Sequence, residues 1–230
     1  FAIHENKIGY SARLIHNIMC RQLVTKKKHE LWFVFGGKPL RFSLQEFYAV
    51  TGLKYTDDGS CDYEKWKDDK GFWSKLLKRD GDICIKKLMT SIEDVKKWRE
   101  KDDIIRFIQK KIDHLYIKMV MDLRNVRNYP WGLKAYDYLL QCIMKARSAL
   151  KKTKSYVLDG FSYALQIWVM EAIPDIGSLL GEKISTELTA APRCSNWKGA
   201  AKVSYEDIIL VEMSFKSHVS LQFSILSLRV

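Results

Sequence analysis

The chain has 230 residues, of which 47% are hydrophobic and 12% aromatic, with four prolines; this composition excludes a disordered polymer. The length suits one large domain or two small ones, able to bury roughly 70–75% of the surface exposed by the unfolded form. A net charge of +12, from 39 Lys+Arg against 27 Asp+Glu, favours polyanionic partners or a lysine-rich solvated surface.

In chain order, "IGYSARLIHNIMCRQL" (8–23) predicts an amphipathic helix, because Ile8, Leu14, Ile15, Ile18, Met19 and Leu23 recur at helical spacing. Lys26, Lys27 and Lys28 close it. Trp32 to Phe35 are aromatic or β-branched and read as a strand. Gly36-Gly37 is a hairpin turn, with Leu40 to Phe42 returning as the second strand. Two glycines and a lysine after an apolar run resemble a phosphate loop, but that loop needs G-x-x-x-x-G-K-[ST] leading straight into a helix. Here Pro39 follows Lys38, and the next helix starts only at Ser43. Ser43 and Glu46 form a capping box, Phe42 and Phe47 occupy the staple positions, and Gly52 suits the C′ position.

"KYTDDGSCDYEKWKDDKG" reads as a loop. "FWSKLLKRD" and "SIEDVKKWRE" read as short helices, the second capped by Ser91 with Asp94 at N3. Residues 102–124 give the strongest helical period, a stripe of Ile104, Ile108, Ile112, Leu115, Met119 and Leu123. Pro130 suits the first turn of the following helix, which runs to about Leu150. Asp159 is placed to cap a helix from Gly160 to Ile173, apolar nearly all round and therefore central. Pro174 ends it, a polar loop containing "APRCSNWKG" follows, and Ser204 with Asp207 marks a last short helix. The pattern from Ser217 to Ser227 could form a strand. The expected fold is mainly α, a helical domain (1–213) with a short N-terminal β-hairpin, then a tail (214–230).

Cys20, Cys61, Cys84, Cys142 and Cys194 are odd in number, widely spaced and without a C-x-x-C, so a reducing compartment fits better than a disulfide framework. Residue 1 is Phe rather than Met, and no secretory signal is visible. The most apolar stretch, 156–180, is interrupted by Asp159, Glu171, Pro174 and Asp175, which argues against a membrane span.

Four stretches, "HNIMCRQLVTKKKHELWFVFGGKPLRFSLQEFYAVTGL", "YPWGLKAYDYLL", "LDGFSYALQIWVMEAIP" and "WKGAAKVSYEDI", together resemble a plant domain family of unknown function, DUF1985, over residues 12–212. The resemblance implies a protein related to Mutator-like transposable elements, often with a SUMO-protease-type cysteine peptidase domain downstream; the expected location is intracellular, nuclear or cytoplasmic, with the nucleus implied by that association alone. It brings no functional residues. The tail departs from the family in lacking the expected polar linker, which reads as a gene-model artefact or a truncation.

Candidate chemistry is thin. The peptidase nucleophile of the associated domain sits in an Asp-Cys-Gly context that does not occur here, and an ordering of His114, Asp137 or Asp159, and Cys194 has no motif behind it. His16 and Cys20 lie four apart on one helix face, which supplies two ligands where structural zinc takes four. The acidic pairs Asp57-Asp58, Asp68-Asp69 and Asp102-Asp103 read as solvated charge or a helix start. No catalytic residue, metal site, cofactor or small-molecule substrate is expected. Two basic runs remain as candidate nucleic-acid contacts, Lys26, Lys27 and Lys28, and Lys145, Arg147, Lys151, Lys152 and Lys154. Both follow predicted helices, where cations also favour the C-terminal dipole. Seven tryptophans, among them Trp66, Trp73 and Trp98 in charged segments, suit either core lids or anchors for a protein partner. The expected function is a non-catalytic accessory or binding domain for nucleic acid or protein. The alternative is a fragment of a SUMO-protease-type cysteine peptidase protein whose catalytic domain is missing.

Overall fold

Ser11 accepts a hydrogen bond from Leu14 N at 3.3 Å and so starts α1 (Ala12–Cys20) four residues later than the apolar period implies. Ile8 is buried ahead of that helix and Leu23 is exposed beyond it. This computed structural model describes residues 5–57, 59–78, 83–84, 111–150, 155–184 and 192–217. The chain forms two compact units, residues 1–56 with 130–230, and residues 57–129. The fold is mainly α with the expected short hairpin near the start.

In the first unit, β1 (Leu31–Phe35) pairs antiparallel with β2 (Lys38–Phe42) in the register Phe35 to Lys38 and Leu31 to Phe42. Gly36 and Gly37 both take positive φ, 56° and 78°, the two-residue turn whose twist matches the strands. The capping box of Ser43 and Glu46 opens α2 (Leu44–Thr51), and Gly52 ends it at φ 66°. The glycines of "FVFGGKPLRF" therefore turn the chain and lie a whole strand away from the helix N-terminus.

Above the hairpin, α6 (Trp131–Leu150) and α7 (Ser162–Ala172) complete the core; the helices between α2 and α6 belong to the second unit. As its all-round apolar pattern predicts, α7 is central, with Ala164 to Met170 buried. Trp168 lies 5.1 Å from Phe42 and 5.7 Å from Phe33, centroid to centroid. Burying each such aromatic is worth about 1.5–3 kcal/mol. Asp159 does not cap α7: Phe161 stands at the N-cap without a side-chain bond, because Gly160, at φ 87°, turns the chain between the carboxylate and the helix. Pro174 does end α7, but a second helix, α8 (Pro174–Leu180), follows at once where a loop is expected, since proline is preorganised for a first turn. β5 (Glu182–Lys183) and β6 (Trp197–Lys198) then pair antiparallel, with a 3₁₀ turn over Arg193–Ser195. Ser204 and Asp207 exchange hydrogen bonds at 2.8 and 3.0 Å and open α9 (Tyr205–Ser217), which crosses the expected boundary at 213. The possible strand over 217–227 lies, after Ser217, outside the described residues.

In the second unit, Asp69 starts α3 (Phe72–Leu77) by accepting from Gly71 N at 2.8 Å and Ser74 Oγ at 2.6 Å. β3 (Ile83–Cys84) pairs with β4 (Lys111–Ile112). The helix expected over 102–124 is not continuous within the described residues. After β4 the chain forms α4 (His114–Val120) and α5 (Leu123–Asn128). Asp113 and Asp122 interrupt the period, each accepting a backbone N–H two residues on, at 2.9 Å, as side chains that favour caps over helix interiors do. Leu123, assigned to the buried stripe, is 65% exposed. The helix predicted over "SIEDVKKWRE" and residues 102–110 lie outside the described residues.

Candidate functional site

The lysine run sits on a loop anchored at both ends. Leu23 N donates to Trp32 O at 2.7 Å and Val34 N to Arg21 O at 2.9 Å, so the chain after α1 pairs with β1. Farther along, Tyr136 Oη on α6 donates to His29 O at 2.8 Å. Between these anchors Lys26, Lys27 and Lys28 are exposed. Lys27 pairs with Glu30 at 3.1 Å. Glu30 also accepts from Trp32 Nε1 at 2.8 Å, and that bond first, with Lys27 adding to it, holds its carboxyl below the usual range.

The second run is divided. Lys145 is exposed and Arg147 half-buried on α6; two residues apart on a helix, they point to different faces. Lys151, Lys152 and Lys154 lie outside the described residues.

The charge of the first unit is lopsided. It holds 21 Lys+Arg and 12 Asp+Glu, a surplus of nine out of the total of twelve. Among the described residues, five of its twelve carboxylates are held in ion pairs: Arg21–Glu212, Arg41–Glu46, Lys198–Glu182 and the pairs of Glu30 and Glu171. Among the described residues, Arg13, Lys26, Lys28, Lys134, Lys145 and Arg147 form no ion pair.

Sequence reasoning missed a buried carboxylate. Glu171, its side chain 6% exposed, pairs with Arg193 at 3.1 Å and Lys183 at 3.3 Å and accepts from Trp197 Nε1 at 2.6 Å. Lys183 Nζ stands 5.4 Å from the centre of the Trp197 ring. Glu171, Lys183 and Trp197 line a pocket of about 360 Å³ with Met170, Pro174 and Ser178. Four elements, α7, α8, β5 and β6, contribute to it, and no spacing in the sequence signals their meeting.

The other candidates disperse. His114 belongs to the second unit; Asp137, Asp159 and Cys194 belong to the first. Burial pushes the Cys194 thiol up, the reverse of an activated nucleophile. Asp68 pairs with Lys78 and Asp69 caps α3, while Asp58, Asp102 and Asp103 lie outside the described residues. Trp66 is half-buried and Trp73 is 38% exposed; Trp98 lies outside the described residues. His16 Nε2 lies 3.7 Å from Cys20 Sγ, as their spacing implies. Among the described residues no three His, Cys, Asp or Glu side chains gather to hold a metal, and no helix is long and apolar enough to cross a membrane.

No curated protein and no solved structure matches the chain. The sequence model of one family, a domain of unknown function (DUF1985), matches residues 19–142, from the end of α1 through the hairpin and the second unit into α6. That stretch is more than half of the chain, which therefore belongs to the DUF1985 family.

Proposed function

We propose that the chain is a non-catalytic binding module whose first unit engages nucleic acid through phosphate contacts. One observation carries the reading: in a unit whose charge is positive by nine, Lys26 and Lys28, on an anchored loop, and Lys145, on α6, stay exposed and form no ion pair among the described residues. Phosphate contacts need positive charge and reach, without a sequence-reading motif. Membership of DUF1985 supports placing the module in a plant transposon-derived protein, of the kind that carries a SUMO-protease-type peptidase domain elsewhere, and in the nucleus.

The test is a titration of the whole chain against labelled duplex and single-stranded DNA, followed by anisotropy at several salt concentrations. Affinity should fall steeply with salt. Changing Lys26, Lys27 and Lys28 to Ala together should flatten the log–log slope by about one for each phosphate that is no longer neutralised. Absence of binding at low salt, or an unchanged slope in the triple variant and in Lys145→Ala, would overturn the reading.

A further inference from the structure

Among the described side chains Cys20 is the one exposed thiol; Cys61, Cys142 and Cys194 are half-buried. It does not stand alone. His16 Nε2 faces its sulfur at 3.7 Å, and the other ring nitrogen, Nδ1, lies 3.0 Å from the hydroxyl of Tyr156. The two rings also stack, 5.8 Å apart and 23° from parallel. Tyr156 is contributed from 140 residues away, by the segment between α6 and α7. When Nδ1–H donates to the tyrosine oxygen, Nε2 is left as the lone-pair nitrogen and it points at Sγ. A nucleophile, a base in reach and a third group that orients the base make the arrangement by which proteins activate thiols.

Arg13 completes the surface. Positions 13, 16 and 20 fall on one face of α1, all three side chains are exposed, and Arg13 forms no ion pair among the described residues. Two of the other thiols are placed differently. Cys61 is held by Asn128 Nδ2 at 3.3 Å, and Cys194 is packed against the core.

We infer that Cys20 is a site of S-thiolation, exchanging with low-molecular-weight disulfides that carry negative charge. In the step, the Cys20 thiol proton passes to His16 Nε2 and Sγ attacks one sulfur of the disulfide. The Cys20–S bond forms as the S–S bond breaks, and the leaving thiolate takes the proton back from the imidazolium. One disulfide is exchanged for another and no further oxidant is required. Tyr156 is a positioning residue, and Arg13 selects for carboxylate-bearing partners. The site stands independently of the nucleic-acid reading, since none of its members is among the proposed phosphate contacts.

The experiment exposes the whole chain to oxidised glutathione or to cystamine at fixed pH and follows each cysteine by peptide mass mapping. Cys20 should form the mixed disulfide with oxidised glutathione at least about tenfold faster than the other four cysteines. His16→Gln should slow Cys20 about tenfold or more and leave the other rates unchanged. Tyr156→Phe should slow it less and add nothing in the His16→Gln background, a result that general loosening would not give. Arg13→Gln should remove the preference for oxidised glutathione over cationic cystamine. Equal rates at Cys20 and Cys61, or a Cys20 rate indifferent to His16→Gln, would overturn the inference.

Discussion

Arg21 and Glu212, 191 residues apart, meet side-on: Arg21 Nε donates to both carboxylate oxygens, at 3.0 and 3.1 Å, and Nη2 reaches the same group. Glu212 also accepts from Gly36 N at 3.3 Å. A single carboxylate thus ties the end of α1, the hairpin turn and α9 together. It is about a fifth exposed, so its charge is only partly screened.

The Arg21 hydrogen bond, then that from Gly36, holds the Glu212 carboxyl below the usual carboxylate range, against the opposing effect of burial. A folded pKa depressed below the unfolded value means stability that is present above about pH 4.3, the ordinary glutamate value, and lost as pH falls through the folded value. Glu212→Gln should therefore cost about 1–3 kcal/mol near neutral pH and less in strong acid, where the wild-type carboxylate is already protonated. Chemical denaturation at a series of pH values reads this out as converging midpoints; a gap that widens in acid would refute the assignment.

Glu171 makes a stronger demand because its partners cannot all turn to water. Arg193 is 14% exposed and Trp197 is buried. Glu171→Ala strands the guanidinium and the indole N–H and should cost about 3–5 kcal/mol. Glu171→Gln keeps an acceptor for Trp197 Nε1 and should cost less. Denaturant midpoints give the order, and the near-ultraviolet circular dichroism of Trp197 should weaken in the Ala variant first.

What the sequence discloses here depends on range. The hairpin, the capping box at Ser43, Gly52 and the central helix are local: each follows from residues within a few positions of one another. The failures are local competitions. Asp113 and Asp122 override a good apolar period because a short carboxylate bonds its neighbour's N–H more readily than it tolerates a helix interior. Pro174 both ends one helix and begins another, two roles that its ring geometry allows equally. The ion pairs of Glu171 and Glu212 join residues separated by as many as 191 positions, and charge patterning carries no signal at that distance. The lysine loop is visible as composition, whereas its anchoring through the hydroxyl of Tyr136 is not.

Tyr136 offers a direct check on that anchoring. Its hydroxyl donates to His29 O at 2.8 Å and sits 3.3 Å from Phe42 O. Burial, reinforced by Glu46 and Glu30, raises its pKa well above the ordinary tyrosine value. Tyr136→Phe should cost about 1–2 kcal/mol by leaving the buried Phe42 carbonyl and the partly buried His29 carbonyl short of a donor. A raised folded pKa contributes stability that is complete below about pH 10 and lost as pH rises through the folded value. The variant should accordingly lose less stability than wild type between neutral and strongly alkaline pH. Amide exchange should also quicken across residues 26–30, and protection there as strong as in wild type would count against the anchor.

The chain leaves the first unit after Thr56 and returns at Pro130, and a backbone contact closes that opening. Gly132 N donates to Lys54 O at 2.7 Å. A Cβ on Gly132 would run into the carbonyl oxygen of Leu53 and come within 2.9 Å of that of Lys54. Both obstacles are backbone, so no rotamer change relieves them, and α6 must shift away from residues 53–54. Alanine is ordinarily the better helix former by about 1 kcal/mol, so propensity alone predicts that Gly132→Ala stabilises. The contact geometry predicts the opposite, a loss of about 1–3 kcal/mol from overpacking. Thermal denaturation of Gly132→Ala beside a control at exposed Gly37, where a Cβ meets nothing within 4 Å but φ is +78°, separates the two causes. The control suffers backbone strain alone, of about 1–2 kcal/mol, and should leave proteolysis around residues 53–54 unchanged, whereas Gly132→Ala should open that segment to cleavage.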